Sequence, residues 1–405
     1  MKRFAQLLIF VVAGSGLFLF FQTKNDVRII QLAQTSDTEV EKPVIKEKAP
    51  NDHDDIAPQK KLDNPPEVIK AAYATGWTAG GVQGLNRMIE LIKNTELNAI
   101  VVDIKDYSGE LSYRTDIPQV EEYSGNRELK ILRPNAMIKK LHDNGIYVIA
   151  RQTIFQDPVL ALARPDLAFM SSTTGKQWRD NLKVMWMDPA GKETWDYNIL
   201  IAKDALARGF DEVNFDYIRF ASDGNLNDIK YPFWDEKTLK RYVIRDFWKY
   251  LRQSLPDAKI SADLFGLVTL NYGDVGIGQN IDDAFHYFDA IAPMVYPSHY
   301  QKGFDGYSNP AVHPYEIVYR SMSEANERLR HYMINAANST STEYYLVKKP
   351  QLRPWLQDFD LGATYTADMV RAQMSATYAA ATGTPAGWMI WDPSNKYTKG
   401  ALLAE

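Results

Sequence analysis

The chain has 405 residues, a net charge of -5 and no cysteine, and 45% of its residues are hydrophobic. This length accommodates one large domain with an appendage, since a barrel domain needs roughly 250 residues. The acidic balance argues against nucleic acid as a partner, because binding to a phosphate backbone needs clustered Lys and Arg. Without cysteine, disulfides, thiolate nucleophiles and thiolate metal ligands are excluded.

The first 22 residues have the pattern of a membrane segment. Lys2 and Arg3 precede an apolar run from Phe4 to Phe21, which is about the shortest length for a bilayer-spanning helix and long for a cleaved signal. We therefore expect residues 1–22 to form an uncleaved transmembrane helix, with a secreted protein after signal cleavage as the alternative. The basic residues before the run predict a single-pass topology, with the rest of the chain on the extracytoplasmic side.

Residues 23–66 are rich in Lys, Glu, Asp, Gln and Pro and contain few aromatic side chains. Such a segment buries too little apolar area to offset the entropy lost on ordering. We interpret it as a disordered, flexible tether between the membrane segment and a folded domain at residues 67–405.

From residue 67 onward, short apolar runs alternate with amphipathic stretches, a pattern typical of βα units that form a parallel sheet. Eight runs are predicted as strands: Val68–Thr75, Leu97–Asp103, Tyr147–Gln152, Glu212–Tyr217, Lys259–Leu264, Ala290–Tyr296, Gln351–Gln357 and Gly387–Trp391. Seven stretches are predicted as helices: Val82–Lys93, Asn135–Asn144, Lys192–Arg208, Asp235–Leu255, Ile281–Phe288, Pro314–Asn335 and Thr366–Ala381. The fold class predicted is therefore α/β, a (β/α)8 TIM barrel. The alternative is an open doubly wound sheet, whose strands would be more uniformly aliphatic.

Strands four and five each place an Asp toward the predicted barrel lumen. Alternate side chains of a barrel strand face the helices and the lumen, and those at the C-terminal end face the substrate. This alternation directs Asp216 and Asp263 inward. Carboxylates on adjacent strands can lie within the roughly 5 to 9.5 Å that glycosidases use. We predict Asp216 and Asp263 as the catalytic pair, with Arg219 holding Asp216 ionised or orienting a substrate hydroxyl.

Other polar and aromatic residues at the same strand ends are predicted to bind substrate. Sugar rings stack their apolar faces on flat side chains while polar groups bind the hydroxyls. The polar candidates are Asp103, Lys105, Arg151, Arg219 and Asp392, and the aromatic candidates are Trp77, Tyr217, Tyr296, Trp355 and Trp391. The alternative is structural: ion pairs such as Asp103 with Lys105 or Asp216 with Arg219, and a core position for the tryptophans.

Other chemistries lack the residues that they need. The six histidines are scattered without the spacing of a zinc site, so no metal and no cofactor is predicted. No Gly-x-Ser-x-Gly motif supplies a serine nucleophile. His299, in the loop after strand six, is interpreted as a solvent-facing residue rather than a substrate ligand.

Seven ordered motifs extend over nearly all of residues 68–400. They are Ala74–Trp77, Val102–Asp106, Asn214–Phe220, Ser261–Gly266, Pro293–Pro297, Arg353–Phe359 and Gly387–Asp392. Together they resemble a bacterial family called the putative glycosyl hydrolase domain family. The resemblance implies a TIM barrel related to the large glycosidase superfamily, in which the carboxylate after strand four often carries catalysis. This points to Asp216, with Asp263 as its partner.

Two functions are compatible with these patterns. The preferred hypothesis is a glycosidase that hydrolyses O-glycosidic bonds in an extracellular or cell-wall polysaccharide. One Asp would stay ionised, and the other would donate a proton because its neighbour's charge raises its pKa. The alternative is a non-catalytic glycan-binding or envelope scaffold barrel. Barrel glycosidases frequently use Glu as the proton donor, and no Glu ends strand four, five or seven here, which favours this alternative.

Overall fold

The computed structural model describes residues 9–13, 16–23, 26–31, 55–124, 127–339, 346–347, 349–381 and 387–404. The chain divides into two units, residues 1–51 and residues 52–405. In the first unit, the described residues form three strands that pair in antiparallel fashion, Ile9–Ala13, Gly16–Thr23 and Asp26–Gln31.

The helix predicted over residues 1–22 is therefore not observed in the described part of that segment, which is extended. Phe and Leu are the commonest residues of the run, and the Phe, Val and Ile residues in it favour strands. Residues 1–8, 14 and 15 of the predicted anchor, and 24, 25 and 32–54 of the predicted tether, lie outside the described residues. Within the described ranges, no helix has the length and apolar character needed to cross a bilayer.

The second unit contains a closed barrel of eight parallel strands. They are β1 Lys70–Ala74, β2 Ala99–Lys105, β3 Tyr147–Thr153, β4 Glu212–Asp216, β5 Lys259–Phe265, β6 Ala290–Met294, β7 in two pieces, Gln351–Leu352 and Trp355–Gln357, and β8 Trp388–Trp391. Each strand pairs with the next, and β8 pairs with β1. β7 is interrupted at Pro354, because proline has no backbone N–H to donate to the neighbouring strand. The TIM barrel prediction is confirmed.

Helices follow the strands and surround the barrel. They are α1 Gly76–Gly80, α2 Val82–Lys93, α3 Pro118–Ser124, α4 Pro134–His142, α5 Pro158–Ala163, α6 Lys192–Arg208, α7 Lys240–Ser254, α8 Ile281–Ala284, α9 Pro314–Asn338 and α10 Ala367–Ala380. All seven predicted helices are present, with some ends shifted. The unpredicted α1, α3 and α5 are short, so they show little of the 3.6-residue periodicity on which the prediction rests. A short antiparallel pair, Met170–Ser171 with Ile229–Lys230, lies in the loops.

Alternation along the strands divides the apolar core into two layers. Val213 and Phe215 of β4 pack outward against the helices, in the larger layer. The smaller layer fills the lumen and includes Val101, Ile149 and Trp355. Because side chains alternate between these layers, the polar residues between Val213 and Phe215, and beyond them, face the lumen.

Residues 55–66 bind the N-terminal end of the barrel, although their composition predicts a tether. The Asp55 carboxylate accepts hydrogen bonds from the backbone N–H groups of Asn135 at 2.8 Å and Ala136 at 3.1 Å, at the start of α4. The backbone N–H of Leu62 donates to Asp211 at 2.7 Å. Asp55 thus satisfies two of the free N–H groups that every helix start leaves, and the ordered unit begins before residue 67.

Candidate active site

A cavity of about 370 Å³ opens at the C-terminal end of the barrel strands. It is lined by Arg151, Asp216, Tyr217, Arg219, Asp263, Phe265, Gly266, Leu267, Met294, Tyr296, His299, Tyr300, Trp355 and Trp391. Active sites of TIM barrels lie at this face, because the loops after the strands converge there. Eight of the twelve residues predicted from the sequence line this cavity: Arg151, Asp216, Tyr217, Arg219, Asp263, Tyr296, Trp355 and Trp391.

The guanidinium of Arg151 stands at the centre of three aspartates. Its Nη1 donates to Asp103 at 2.6 Å, its Nη2 donates to Asp216, and its Nε lies 3.5 Å from Oδ2 of Asp263. The hydroxyl of Tyr73 donates to the other oxygen of Asp103 at 2.5 Å. One positive charge therefore faces three carboxyl groups in a buried site, and burial raises the pKa of Asp103 against the opposing effect of Arg151.

Asp263 has the environment of a proton donor. It is 1% exposed, and burial together with the charge of Asp216 raises its pKa to about 7. Its Oδ1 accepts hydrogen bonds from Asn214 Nδ2 at 2.9 Å and from Trp355 Nε1 at 2.7 Å. Because Oδ1 already accepts two N–H donors, the proton belongs on Oδ2, the oxygen that faces Arg151.

Asp216 has a different environment from that of Asp263. It accepts hydrogen bonds from Arg151 and from the backbone N–H of Tyr217, the latter at 2.5 Å. Tyr217 adopts a positive φ of 51°, a backbone conformation that is costly for a bulky residue and recurs at functional sites. Phe215 of β4 pairs with Ala262 of β5, so the next residues, Asp216 and Asp263, stand side by side on adjacent strands. The backbones of adjacent strands are about 4.8 Å apart.

Arg219 does not hold Asp216 as the sequence suggested. Among the described residues, its Nη1 donates to the carbonyl of Phe220 at 3.0 Å and to Ser222 at 3.2 Å. Arg151, on the neighbouring strand β3, takes the position next to Asp216. Sequence proximity favoured the residue three positions along the chain, whereas closure of the barrel brings a neighbouring strand closer.

Four predicted substrate ligands do not line the cavity, and one of them, Asp103, contacts Arg151 instead. Lys105 is fully buried and pairs with Asp157 at 2.7 Å, not with Asp103, because an irregularity in the β2–β3 ladder between residues 103 and 105 redirects it from the lumen. Asp392 accepts three hydrogen bonds from the turn that follows it. Trp77 is half exposed on α1 and does not line the cavity.

Several residues of the cavity wall were not predicted. His299 lines the cavity and its side chain is exposed, so the solvent-facing position predicted for it is confirmed. Phe265 is the last residue of β5, and Leu267 and Tyr300 follow β5 and β6. Of these residues, Phe265 belongs to one of the seven motifs, and this membership is the sequence signal that could have identified it. The others follow their strands without a recognisable pattern.

Aromatic rings form one wall of the cavity. The rings of Tyr296 and Trp391 have centroids 5.6 Å apart, and Phe359 packs edge-on against Trp391 at 4.9 Å. Trp355 belongs both to the lumen core and to the wall. A wall of flat apolar faces beside buried carboxyl groups suits a sugar ring, which has an apolar face and hydroxyl edges.

A second polar layer lies deeper in the lumen. Glu212, the first residue of β4, forms an ion pair with Arg353. It also accepts hydrogen bonds from Ser261 at 2.5 Å and Tyr147 at 3.3 Å. Asn214 Nδ2 donates to both Ser261 and Asp263 and so connects the two layers. Within the described ranges, no group of three or more Asp, Glu or His side chains is arranged to hold a metal ion.

The barrel and its cleft define the class of the protein as a glycosidase-like TIM barrel. Residues 71–397 match the family model described as a putative glycosyl hydrolase domain. The chain belongs to this family, as the sequence motifs indicated. No curated protein matches the chain.

Three solved structures are similar to this chain, and the first of them, with a TM-score above 0.5, supports the fold. The glycoside hydrolase domain of PgaB (BpsB) from Bordetella bronchiseptica is similar with a TM-score of 0.54 and 14% identity, over 83% of this chain and 99% of that chain. A hypothetical protein from Ruminiclostridium thermocellum ATCC 27405 is 42% identical over 47% of this chain and 96% of that chain, with a TM-score of 0.44. An α-galactosidase from Thermus thermophilus gives a TM-score of 0.48 at 13% identity, over 83% of this chain and 60% of that chain.

Proposed function

We propose that this protein is a glycoside hydrolase that cleaves O-glycosidic bonds with Asp263 as the general acid and Asp216 as the nucleophile or base. The single observation that carries the proposal is the contrast between these two carboxyl groups on adjacent strands. Asp263 has a pKa raised to about 7, whereas Asp216 accepts a hydrogen bond from a guanidinium. Two carboxyl groups whose environments differ in this way have the acid and base roles of a glycosidase.

In the proposed reaction, Asp263 transfers its proton to the glycosidic oxygen as the bond to the anomeric carbon breaks. The new carboxylate is stabilised by the N–H groups of Asn214 and Trp355. Asp216 either attacks the anomeric carbon or removes a proton from an attacking water. Water supplies hydroxide to the sugar and a proton to the departing hydroxyl, so that both aspartates return to their starting states.

The substrate is proposed to be a polysaccharide outside the cytoplasm. The aromatic wall formed by Tyr296, Trp355 and Trp391 would stack on the ring whose bond is cleaved. The location rests on the sequence alone, on Lys2 and Arg3 before the apolar run. The same pattern supports attachment to the membrane through the N-terminal segment.

Replacement of Asp216 tests the catalytic assignment. Asp216→Asn keeps the size of the side chain and removes its charge, and we expect turnover to fall by about 10³-fold or more, because a lost nucleophile or base removes several kcal/mol of barrier lowering. The assay measures reducing ends released from a panel of wall and capsular polysaccharides. Asp305→Asn is the matched control, because Asp305 is exposed in a short 3-10 helix and Asn tolerates its positive φ of 51°.

The alternatives give different results in the same assay. Equal turnover by the wild type and Asp216→Asn would refute the role of Asp216. Binding of a polysaccharide by calorimetry, with no reducing ends released by the wild type, would favour the scaffold function.

Labelling tests the proposed location, since the chain contains no cysteine. Lys176 is exposed, and a Lys176→Cys variant should react with a membrane-impermeant maleimide in intact cells. Labelling only after lysis would contradict an extracytoplasmic barrel.

A further inference from the structure

Two arginines line the cavity, and their surroundings differ. Arg151 contacts three aspartates. Arg219 is buried, with 7% of its surface exposed. It nevertheless forms no ion pair with any carboxylate among the described residues. Burial lowers the pKa of Arg219, which means that its charged form has lost hydration that no contacting anion replaces.

The faces of the Arg219 guanidinium are covered, and part of its edge is free. Its central carbon lies over three aromatic rings, those of Phe265 at 4.6 Å, Trp186 at 4.8 Å and Tyr217 at 5.1 Å. These contacts fix the plane of the group and partly compensate its charge. Nη1 donates to Phe220 and Ser222, whereas Nε and Nη2 have no acceptor within the described ranges. A ligand therefore meets two parallel N–H groups in one plane.

We propose that Arg219 binds a carboxylate of the substrate, so that the cavity selects an acidic sugar such as a hexuronic acid. This inference rests on the proposed function for its account of the ligand as a sugar. Two N–H groups in a fixed fork match a planar carboxylate, which accepts both in a bidentate pair. A neutral hydroxyl would satisfy one N–H and leave the charge uncompensated.

The charges of the cavity also fix the direction of the ligand. The carboxylate of Asp216 repels an anion, and Arg151 is already engaged by aspartates. Arg219 is the remaining arginine of the lining, so it attracts the carboxylate. The sugar would then be held with its acidic substituent against Arg219 and its ring between the aromatic wall and the aspartates.

Binding of free sugars tests this inference without turnover. D-glucuronate and D-glucose are matched probes that differ in the carboxylate, and calorimetry should show that the wild type binds glucuronate about tenfold tighter, as expected for a charge-assisted bidentate pair. Arg219→Met should abolish that preference while affinity for glucose changes by about twofold or less. Arg219→Lys keeps the charge without the fork and should retain part of the preference.

The outcomes separate this inference from the catalytic one. No preference in the wild type, or a preference that persists in a folded Arg219→Met variant, would overturn the role of Arg219. If inorganic sulfate displaces glucuronate at equal concentration, the site binds anions generally and the carboxylate assignment is wrong. Binding of glucuronate with the predicted preference, but no hydrolysis of any polyuronate, would leave Arg219 supported and the glycosidase proposal refuted.

Discussion

The lumen of the barrel contains two polar layers that use the same residue types with different charge balance. In the deeper layer, one carboxylate, Glu212, faces one guanidinium, that of Arg353, and two hydroxyls donate to the carboxylate. In the layer at the mouth, the single guanidinium of Arg151 faces three aspartates. The deeper layer is balanced, whereas the mouth has an excess of negative charge in a buried site.

The different charge balance of the two layers shows how one scaffold separates stability from chemistry. A balanced buried pair holds its charges and gains little by exchanging a proton. In the unbalanced layer, burial raises the pKa of Asp263 first, and the charge of Asp216 raises it further. The cavity opens on the unbalanced layer, where a group that exchanges a proton near neutral pH can meet a substrate.

Breaking the balanced pair should have the largest effect on stability. Glu212→Gln removes the carboxylate and leaves Arg353 buried without a counter-charge, so we expect the free energy of unfolding to fall by about 3 to 5 kcal/mol. Denaturant unfolding followed by circular dichroism measures this loss. Glu90→Gln on the exposed side of α2 is the control and should change stability by about 0.5 kcal/mol or less. A similar small change in Glu212→Gln would show that the deeper pair contributes no stability.

Removing the excess charge at the mouth should stabilise the protein, with a pH dependence of definite sign. The pKa of Asp263 is about 7 in the folded protein against a model value of 3.8. Between these values the unfolded chain has lost the proton that the folded protein still binds, so this group destabilises the fold increasingly as pH rises. Asp263→Asn should therefore raise the free energy of unfolding by about 1 to 3 kcal/mol near pH 8.

The same variant should gain nothing near pH 4, where Asp263 is protonated in the folded protein. Thermal unfolding of wild type and Asp263→Asn across this range measures the effect, with Asp305→Asn as the exposed control. Destabilisation near pH 8, or a gain that is independent of pH, would contradict the excess of negative charge at the mouth.

The link between the layers should have the smallest effect. Asn214→Ala removes a hydrogen bond to Asp263 that favours its ionised form, which is worth about 1 kcal/mol. We expect the pKa that limits kcat/KM at high pH to rise by less than about one unit. The pH profile of hydrolysis gives this value, and a shift in the opposite direction would mean that Asn214 does not stabilise the carboxylate.

Much of the fold could be predicted from the sequence because barrel strands alternate locally. Val213 and Phe215 are apolar on both sides of Asn214, and this pattern alone directs Asp216 to the lumen. The shift of Lys105 could not be foreseen, since an irregularity in a strand ladder depends on the partner strand. The binding of residues 55–66 to the barrel could not be foreseen either, because it depends on Asp55 capping a helix some eighty residues away.

Individual residues of the site could be predicted from the sequence, but their contacts with one another could not. Carboxylates at strand ends marked Asp216 and Asp263, but pairing with Arg151 depends on which strands are neighbours in a closed barrel. Sequence proximity assigned Arg219 to Asp216 instead. The place of His299 beside the cavity was hidden for a similar reason, since the cavity wall is assembled from loops after different strands.

Infrared difference spectroscopy of the carboxyl C=O stretch tests most directly whether the unbalanced layer holds a proton. The wild type should show a buried protonated carboxyl that disappears with a midpoint near pH 7. This band should be missing from Asp263→Asn and present in Glu212→Gln. A band near pH 7 that survives in Asp263→Asn, or a wild type without such a band, would contradict the assignment of Asp263 as the acid.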